Sequence, residues 1–269
     1  MSNIKYIDCH SHPHDKTYGG DESFLAKLES DGGGTIAIGT DYTETRKAID
    51  LAKRHDNVWA TIGIHPADNH KEVYDEKIFN DFLATSEGKV VGIGECGLDY
   101  FYFGRNPELD IEAEKSRQKQ IFVFQIEFAI KNNLPLVLHG RPSRNTMDAY
   151  RDMLGILEGY KGVRGHAHFF VGNMEITKRF LDLGMLLSFD GPITFTKEYD
   201  EVIKYIPMQN IMIETDSPYA APMPYRGQTN YPHYVKEVAK RIGELKGLSE
   251  DEVLSITMQN AKRLFGLNI

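Results

Sequence analysis

Residues 7–15 read IDCHSHPHD and pack three histidines and two aspartates into nine positions. Imidazole and carboxylate groups are the usual protein ligands of zinc and similar divalent cations. Side chains two apart on a β-strand project to the same side. On a strand, His10 and His12 would share a face, with Cys9 and Ser11 turned away from it. An H-x-H pair alone fits a polar turn as well as half a metal site. Its weight comes from what recurs later: His65 in GIHP, Glu95 in VVGIGECGLDY, His139 in LPLVLHGR, His166 and His168 in GVRGHAHFF, and Asp216 in IMIETDSPYAAP.

Each of these residues also has a plain structural reading. Glu95 could be a buried acid paired with an arginine, His139 a core histidine, and Asp216 the cap of the next helix. As ligands they offer more. A carboxylate can bridge two cations with its two oxygens, which an imidazole cannot do. Arg141 follows His139 by two places, and a guanidinium there suits a phosphate or carboxylate. Glu214 would share a face with Asp216, and Asp99 reads as a structural or supporting acid. His166 and His168 share a face, and spacing does not choose between them.

Short apolar runs place these residues. IKYIDC (4–9), GTIAIG (34–39), NVWATIG (57–63), KVVGIGE (89–95), LPLVLH (134–139), GVRGHAH (162–168), MLLSFD (185–190) and NIMIET (210–215) each read as a buried strand. Most precede a stretch with helical periodicity, such as TETRKAIDLAKRH or AEKSRQKQIFVFQIEFAIKNN. The seventh precedes only a short polar segment, and SEDEVLSITMQNAKRLFG adds a last helix. Strands alternating with helices imply a parallel sheet. Eight units in 269 residues predict one domain over 1–269, an α/β (β/α)8 barrel of the TIM type. An open doubly wound sheet is the runner-up. In a barrel all C-terminal strand ends meet at one rim, where barrel enzymes carry their sites. The scattered polar residues would converge there.

Composition narrows the function. The formal net charge is −8, so the chain as a whole repels nucleic acid, and positive charge toward a phosphodiester would have to be local. Bound cations would supply it. No apolar run reaches the ~18 residues of a membrane span, and MSNIKYIDCH carries no apolar signal core, so the expectation is a cytoplasmic protein without membrane contact. Two cysteines, Cys9 and Cys96, read as packed thiols and suit a reducing compartment. Tyr100, Phe101, Tyr102 and Phe103 could stack on bases or pack the loop over 101–113.

In order along nearly the whole chain, the motifs resemble the TatD-like metal-dependent hydrolases of the amidohydrolase superfamily. The match runs through Asp8, His10 and His12, GIHP (63–66), GECGLDY (94–100), LPLVLHGR (134–141), ETDSPYAAP (214–222) and PYRGQTNYP (224–232). The resemblance implies a barrel with two divalent metal ions (Zn, Mn, Mg, Ni or Co) and phosphodiesterase activity on DNA. It implies that His10, His12, Glu95 and Asp216 hold one metal, and Glu95, His139 and His168 the second. HFFVG (168–172) stands where the family has H-C-F-S-G, which selects His168 over His166. His65, Arg141 and Arg226 would contact substrate phosphate, and Asn230 would hold its loop near the site. Strand four ends in Glu95, not in the lysine that many superfamily members carbamylate.

The expected chemistry is in-line hydrolysis by a metal-bridging hydroxide, with Asp216 as general base and Glu95 as the bridge. The expected substrate is DNA, attacked as by a 3′–5′ exonuclease, and no obligate protein partner is inferred. An esterase or deacylase acting on aminoacyl-tRNA or small esters is the alternative. A non-catalytic interaction scaffold is the remote one.

Overall fold

The computed structural model describes residues 4–67, 72–105, 108 and 110–269. Eight strands form one parallel sheet in sequence order. They are β1 (Tyr6–Ser11), β2 (Gly33–Ala37), β3 (Val58–Ile62), β4 (Val90–Asp99), β5 (Leu136–Arg141), β6 (Gly165–Ala167), β7 (Leu186–Phe189) and β8 (Ile211–Ile213). The eight apolar runs of the sequence all become strands. β4 is the exception in length: it runs on past Glu95 to Asp99. Its glycines and apolar residues are buried on both faces, as a strand between helices and barrel interior must be.

The barrel closes between β8 and β1 through an irregular seam. Ser11 pairs with Ser217 in an isolated parallel bridge. The Asp216 amide donates to the His10 carbonyl (2.9 Å), and the His12 amide donates to the Ser217 carbonyl (2.7 Å). Beneath them the fully buried Asp8 carboxylate accepts the Thr215 amide (2.9 Å) and hydroxyl (2.6 Å). Burial pushes the Asp8 carboxyl well above its ordinary range, although the bonds from Thr215 and from the His10 amide pull the other way. The early Asp-x-His-x-His pattern therefore does two jobs. Its aspartate stitches the barrel shut, and its histidines stand next to Asp216 as a result.

Helices wrap the barrel, and several are started by side-chain caps. Asp41 accepts the Glu44 amide at the start of α2 (Tyr42–Arg54), and Asp110 does the same for Ala113 in α4 (Ile111–Lys131). α9 (Glu250–Phe265) opens on a Ser249/Glu252 capping box and ends at Gly266 in the left-handed region. It closes the floor of the barrel. Ala261, Leu264 and Phe265 of α9 join Ile7, Ile36, Val91, Val137, Leu186 and Met212 in one apolar cluster. A rigid plug below leaves the opposite end of the barrel as the open one. Among the described residues no helix is long and apolar enough to cross a membrane.

Candidate metal centre

Two β-bulges aim the polar residues of β1 and β4. Between Asp8 and Ser11 three steps of β1 face two of β2, and between Ile93 and Cys96 three steps of β4 face two of β5. A bulge breaks strict alternation and re-aims a side chain. On β4 the bulge needs its glycine. Gly94 has φ 149°, and a Cβ there would sit 2.5 Å from the Val137 carbonyl oxygen. Gly63 is required for the same reason, since its Cβ would meet the Gly94 carbonyl carbon at 2.3 Å. The result is Glu95, buried at 3 %, with its carboxylate under the rim.

Four imidazoles surround that carboxylate. Oε1 lies 2.6 Å from His139 Nδ1, 2.7 Å from His168 Nε2 and 3.6 Å from His65 Nε2. Oε2 lies 3.4 Å from His10 Nε2. Asp216 completes the other side, its Oδ1 at 3.4 Å from His12 Nε2 and 3.6 Å from His10 Nε2. Asp216 is held at φ 52°, in the left-handed region where a non-glycine residue costs of order 1–3 kcal/mol. All six sequence-derived ligands thus meet at one place: His10, His12 and Asp216 on one side of Glu95, His139 and His168 on the other. No arginine pairs with Glu95 among the described residues, so the buried ion-pair reading of that residue fails.

Supporting acids orient two of these histidines. His139 turns Nδ1 toward Glu95 and Nε2 toward Asp99 Oδ2, 3.2 Å away. His168 turns Nε2 toward Glu95 and Nδ1 toward Glu214 Oε1, 3.5 Å away. Glu214 is fully buried and also accepts the Phe169 amide and the Ser188 hydroxyl. A carboxylate behind a ligand histidine fixes its tautomer and raises its basicity. The sequence reading left Asp99 as a structural or supporting acid and gave Glu214 no task beyond sharing a face with Asp216. The signal was present in both cases: an acid at the end of a buried strand next to a ligand.

The electrostatics are those of a site built around cations. Burial alone would raise the Glu95 carboxyl, but charge on His168, His65 and His10 outweighs it and holds Glu95 well below the usual range. Burial disfavours the charged form of His139, yet its bonds to Asp99 and Glu95 lift it to about 9. His168 is likewise raised against burial by Glu95 and Glu214. Burial and the neighbouring His168 lower His10. Its ring is stacked on His168 with centroids 3.8 Å apart, and neither ring nitrogen has a hydrogen-bond partner. Its buried Nε2, facing the Glu95 and Asp216 carboxylates, fits a divalent cation. Four imidazoles and two carboxylates are also its preferred donor set.

The centre lies at the bottom of a cavity of about 750 Å³, lined by Thr40, His65, Phe101, Tyr102, Arg141 and Tyr219 among others. Arg141 is exposed at the mouth, with its guanidinium 4.3 Å from the centre of the Phe101 ring. His65 lines the cavity deeper than Arg141, and with Glu95 and His139 it also forms one of the ligand-capable groups, atoms within 4.8 Å of one another. Arg226 does not line the cavity. It is exposed, and its guanidinium stacks 4.3 Å over Phe195. Asn230 holds its loop as expected, donating to the Thr215 and Tyr219 carbonyls at 2.8 and 2.6 Å. Of the aromatic run, Tyr100 and Phe103 pack against each other, while Phe101 and Tyr102 reach the cavity. Part of the loop over 101–113 lies outside the described residues.

A family model described as TatD related DNase matches residues 7–266. The chain belongs to the TatD-related DNase family. An uncharacterized metal-dependent hydrolase of Bacillus subtilis, YabD, is 37 % identical over 268 residues, covering 97 % of this chain and 99 % of that protein. The Escherichia coli metal-dependent hydrolase YcfH, also uncharacterized, is 35 % identical over 237 residues, 87 % of this chain and 83 % of the relative. Among solved structures, the TatD homologue YjjV of E. coli superposes with a TM-score of 0.83 at 26 % identity, covering 98 % and 99 % of the two chains. Family membership makes this TatD-related chain a metal-dependent hydrolase, and its clustered histidines and acids are where divalent metal would bind.

Proposed function

We propose that this chain is a divalent-cation-dependent deoxyribonuclease that hydrolyses DNA phosphodiesters from a strand end. The observation that carries the reading is the position of Glu95. One carboxylate faces imidazoles on both of its oxygens, at the foot of a cavity with an arginine at its mouth. His10, His12, Glu95 and Asp216 would hold one cation, and Glu95, His139 and His168 a second. When bound, such a pair supplies Lewis acidity toward a phosphoryl oxygen and lowers the pKa of a shared water.

The chain's own groups account for the remaining work. Asp216 keeps part of its carboxylate open to the cavity, its side chain 15 % exposed, and can accept a proton from an attacking water. Arg141 and His65 stand where they can hold the non-bridging phosphate oxygens through the displacement. Asp99 and Glu214 keep His139 and His168 turned toward Glu95. Phe101 offers a face for the terminal base, backed by the Arg141 guanidinium. A recessed cavity favours a strand end over the middle of a duplex. Arg226 would reach substrate only through movement of its segment away from Phe195.

The test is a substrate panel with one metal-loaded preparation: end-labelled linear DNA, closed circular DNA, aminoacylated tRNA and a simple ester. The proposal expects metal-dependent release of mononucleotides from linear DNA, lost with chelator and regained with metal, and little action on circles. Hydrolysis of aminoacyl-tRNA with DNA untouched would move the same centre to the deacylase reading.

A further inference from the structure

A second group of ligand-capable residues lies inside the barrel, below the rim. Cys9 is turned away from the rim, as its spacing from His10 and His12 predicts, and it shares the apolar cluster of the barrel interior with Ile7. Its Sγ lies 3.8 Å from Glu214 Oε2. His166 Nε2 lies 3.9 Å from the same oxygen. The thiol, the imidazole and the carboxylate oxygen all lie within 4.8 Å of one another. All three residues are buried, Cys9 at 1 % and His166 and Glu214 at 0 %. His166 has no hydrogen-bond partner at either ring nitrogen. Among the described residues its ring neighbour is Phe265 of α9, edge-on at 5.7 Å.

We infer that Cys9, His166 and Glu214 form an inner cation site, separate from the rim, for a borderline divalent ion such as Zn²⁺ or Co²⁺. A buried imidazole with two unmet nitrogens is costly, and a cation on Nε2 removes half of that cost. Thiolate with imidazole and carboxylate selects Zn²⁺ or Co²⁺ over Mg²⁺ or Ca²⁺. Tetrahedral bonds of about 2.1–2.3 Å set ligand atoms about 3.4–3.6 Å apart, so the observed 3.8 and 3.9 Å edges need only a small contraction. Binding displaces the Cys9 proton. Thiolate and Glu214 together then balance the dication, and no net charge is buried.

The site joins β1, β6 and β8 beneath the rim. It engages Glu214 Oε2, while Oε1 accepts the Phe169 amide and faces His168. With no exposed ligand the ion is taken up as the barrel folds. It should resist a chelator that strips the cavity above.

The protein would be produced in zinc-depleted, cobalt-supplemented medium and measured as isolated. The expected result is a thiolate-to-cobalt charge-transfer band in the near ultraviolet and one cobalt equivalent beyond those of the rim. Cys9→Ser and His166→Gln should lose both the band and that equivalent. Cys96→Ser should keep them, because Cys96 Sγ faces only the Ile93 and Val137 carbonyls. X-ray absorption at the zinc edge of the unmutated protein, after a chelator has stripped the rim, needs no variant and should show one sulfur neighbour per zinc at about 2.3 Å. Absence of sulfur from the metal shell of folded protein, or a band that survives Cys9→Ser, would overturn the inference. The charge-transfer band and the sulfur shell follow sulfur alone, so they stand or fall independently of the cations at the rim.

Discussion

Glu95→Gln is the sharpest perturbation of the rim, because it preserves shape and removes only charge. The side chain is buried, and its two oxygens lie 2.6–3.6 Å from four imidazole nitrogens. An amide cannot serve both sides equally: one end donates where both must accept. Stripping one partner from a buried charged cluster costs about 3–5 kcal/mol, which corresponds to roughly 150- to 5,000-fold in cation affinity. The expected result is loss of at least one metal equivalent per chain, with hydrolytic kcat/KM lower by ~100-fold or more. The metal-free fold should persist, since no packing atom is lost. Metal content by mass spectrometry, calorimetric titration and far-ultraviolet dichroism read the three effects separately. Unchanged stoichiometry and affinity in a folded variant would refute the bridging role.

Three further outcomes follow from the same geometry. Arg141→Ala should raise KM and lower kcat/KM on DNA by about 10- to 100-fold, the worth of a charge-assisted hydrogen bond, with metal content unchanged; a loss of metal would show that Arg141 supports the centre instead. Asp8→Ala removes the acceptor of two Thr215 bonds and should destabilise the fold by about 2–4 kcal/mol, read as a lower urea midpoint, with weaker metal binding because the Asp216 seam loosens. Cation affinity should rise with pH up to about 9, because His139, raised to about 9, and His168 hold protons below their pKa that a cation must displace. Titrations in two buffers of different ionisation enthalpy should show proton release at pH 7. Absence of release there would mean that the imidazoles are already neutral.

The barrel was legible because each buried strand is a short apolar run and most runs end at or beside a residue able to do chemistry. The six ligands could be placed once those ends met at one rim. Strict alternation failed at two places, and both are bulges. β1 gains a step between Asp8 and Ser11, and β4 gains one at Gly94 before the strand runs on to Asp99. Nothing in the residue types announces an inserted step; it is set by what a neighbouring strand allows. Spacing left His166 and His168 open, and it was the resemblance at HFFVG that selected His168. Both rings point into the barrel, but His168 reaches Glu95 and His166 stops at Glu214. Arg226 shows the converse limit. The family resemblance implied a substrate contact for it, while its side chain lies over Phe195, outside the cavity.

The central claim is that Glu95 lies between two cations. Crystals of metal-loaded protein, with diffraction recorded on either side of the metal's absorption edge, test it most directly. Two anomalous peaks about 3.5–4 Å apart, one on the His10, His12 and Asp216 side of Glu95 and one on the His139 and His168 side, are the predicted result. Fully loaded protein with no peak at Glu95, or with a single peak that leaves either set of histidines unligated, would contradict it.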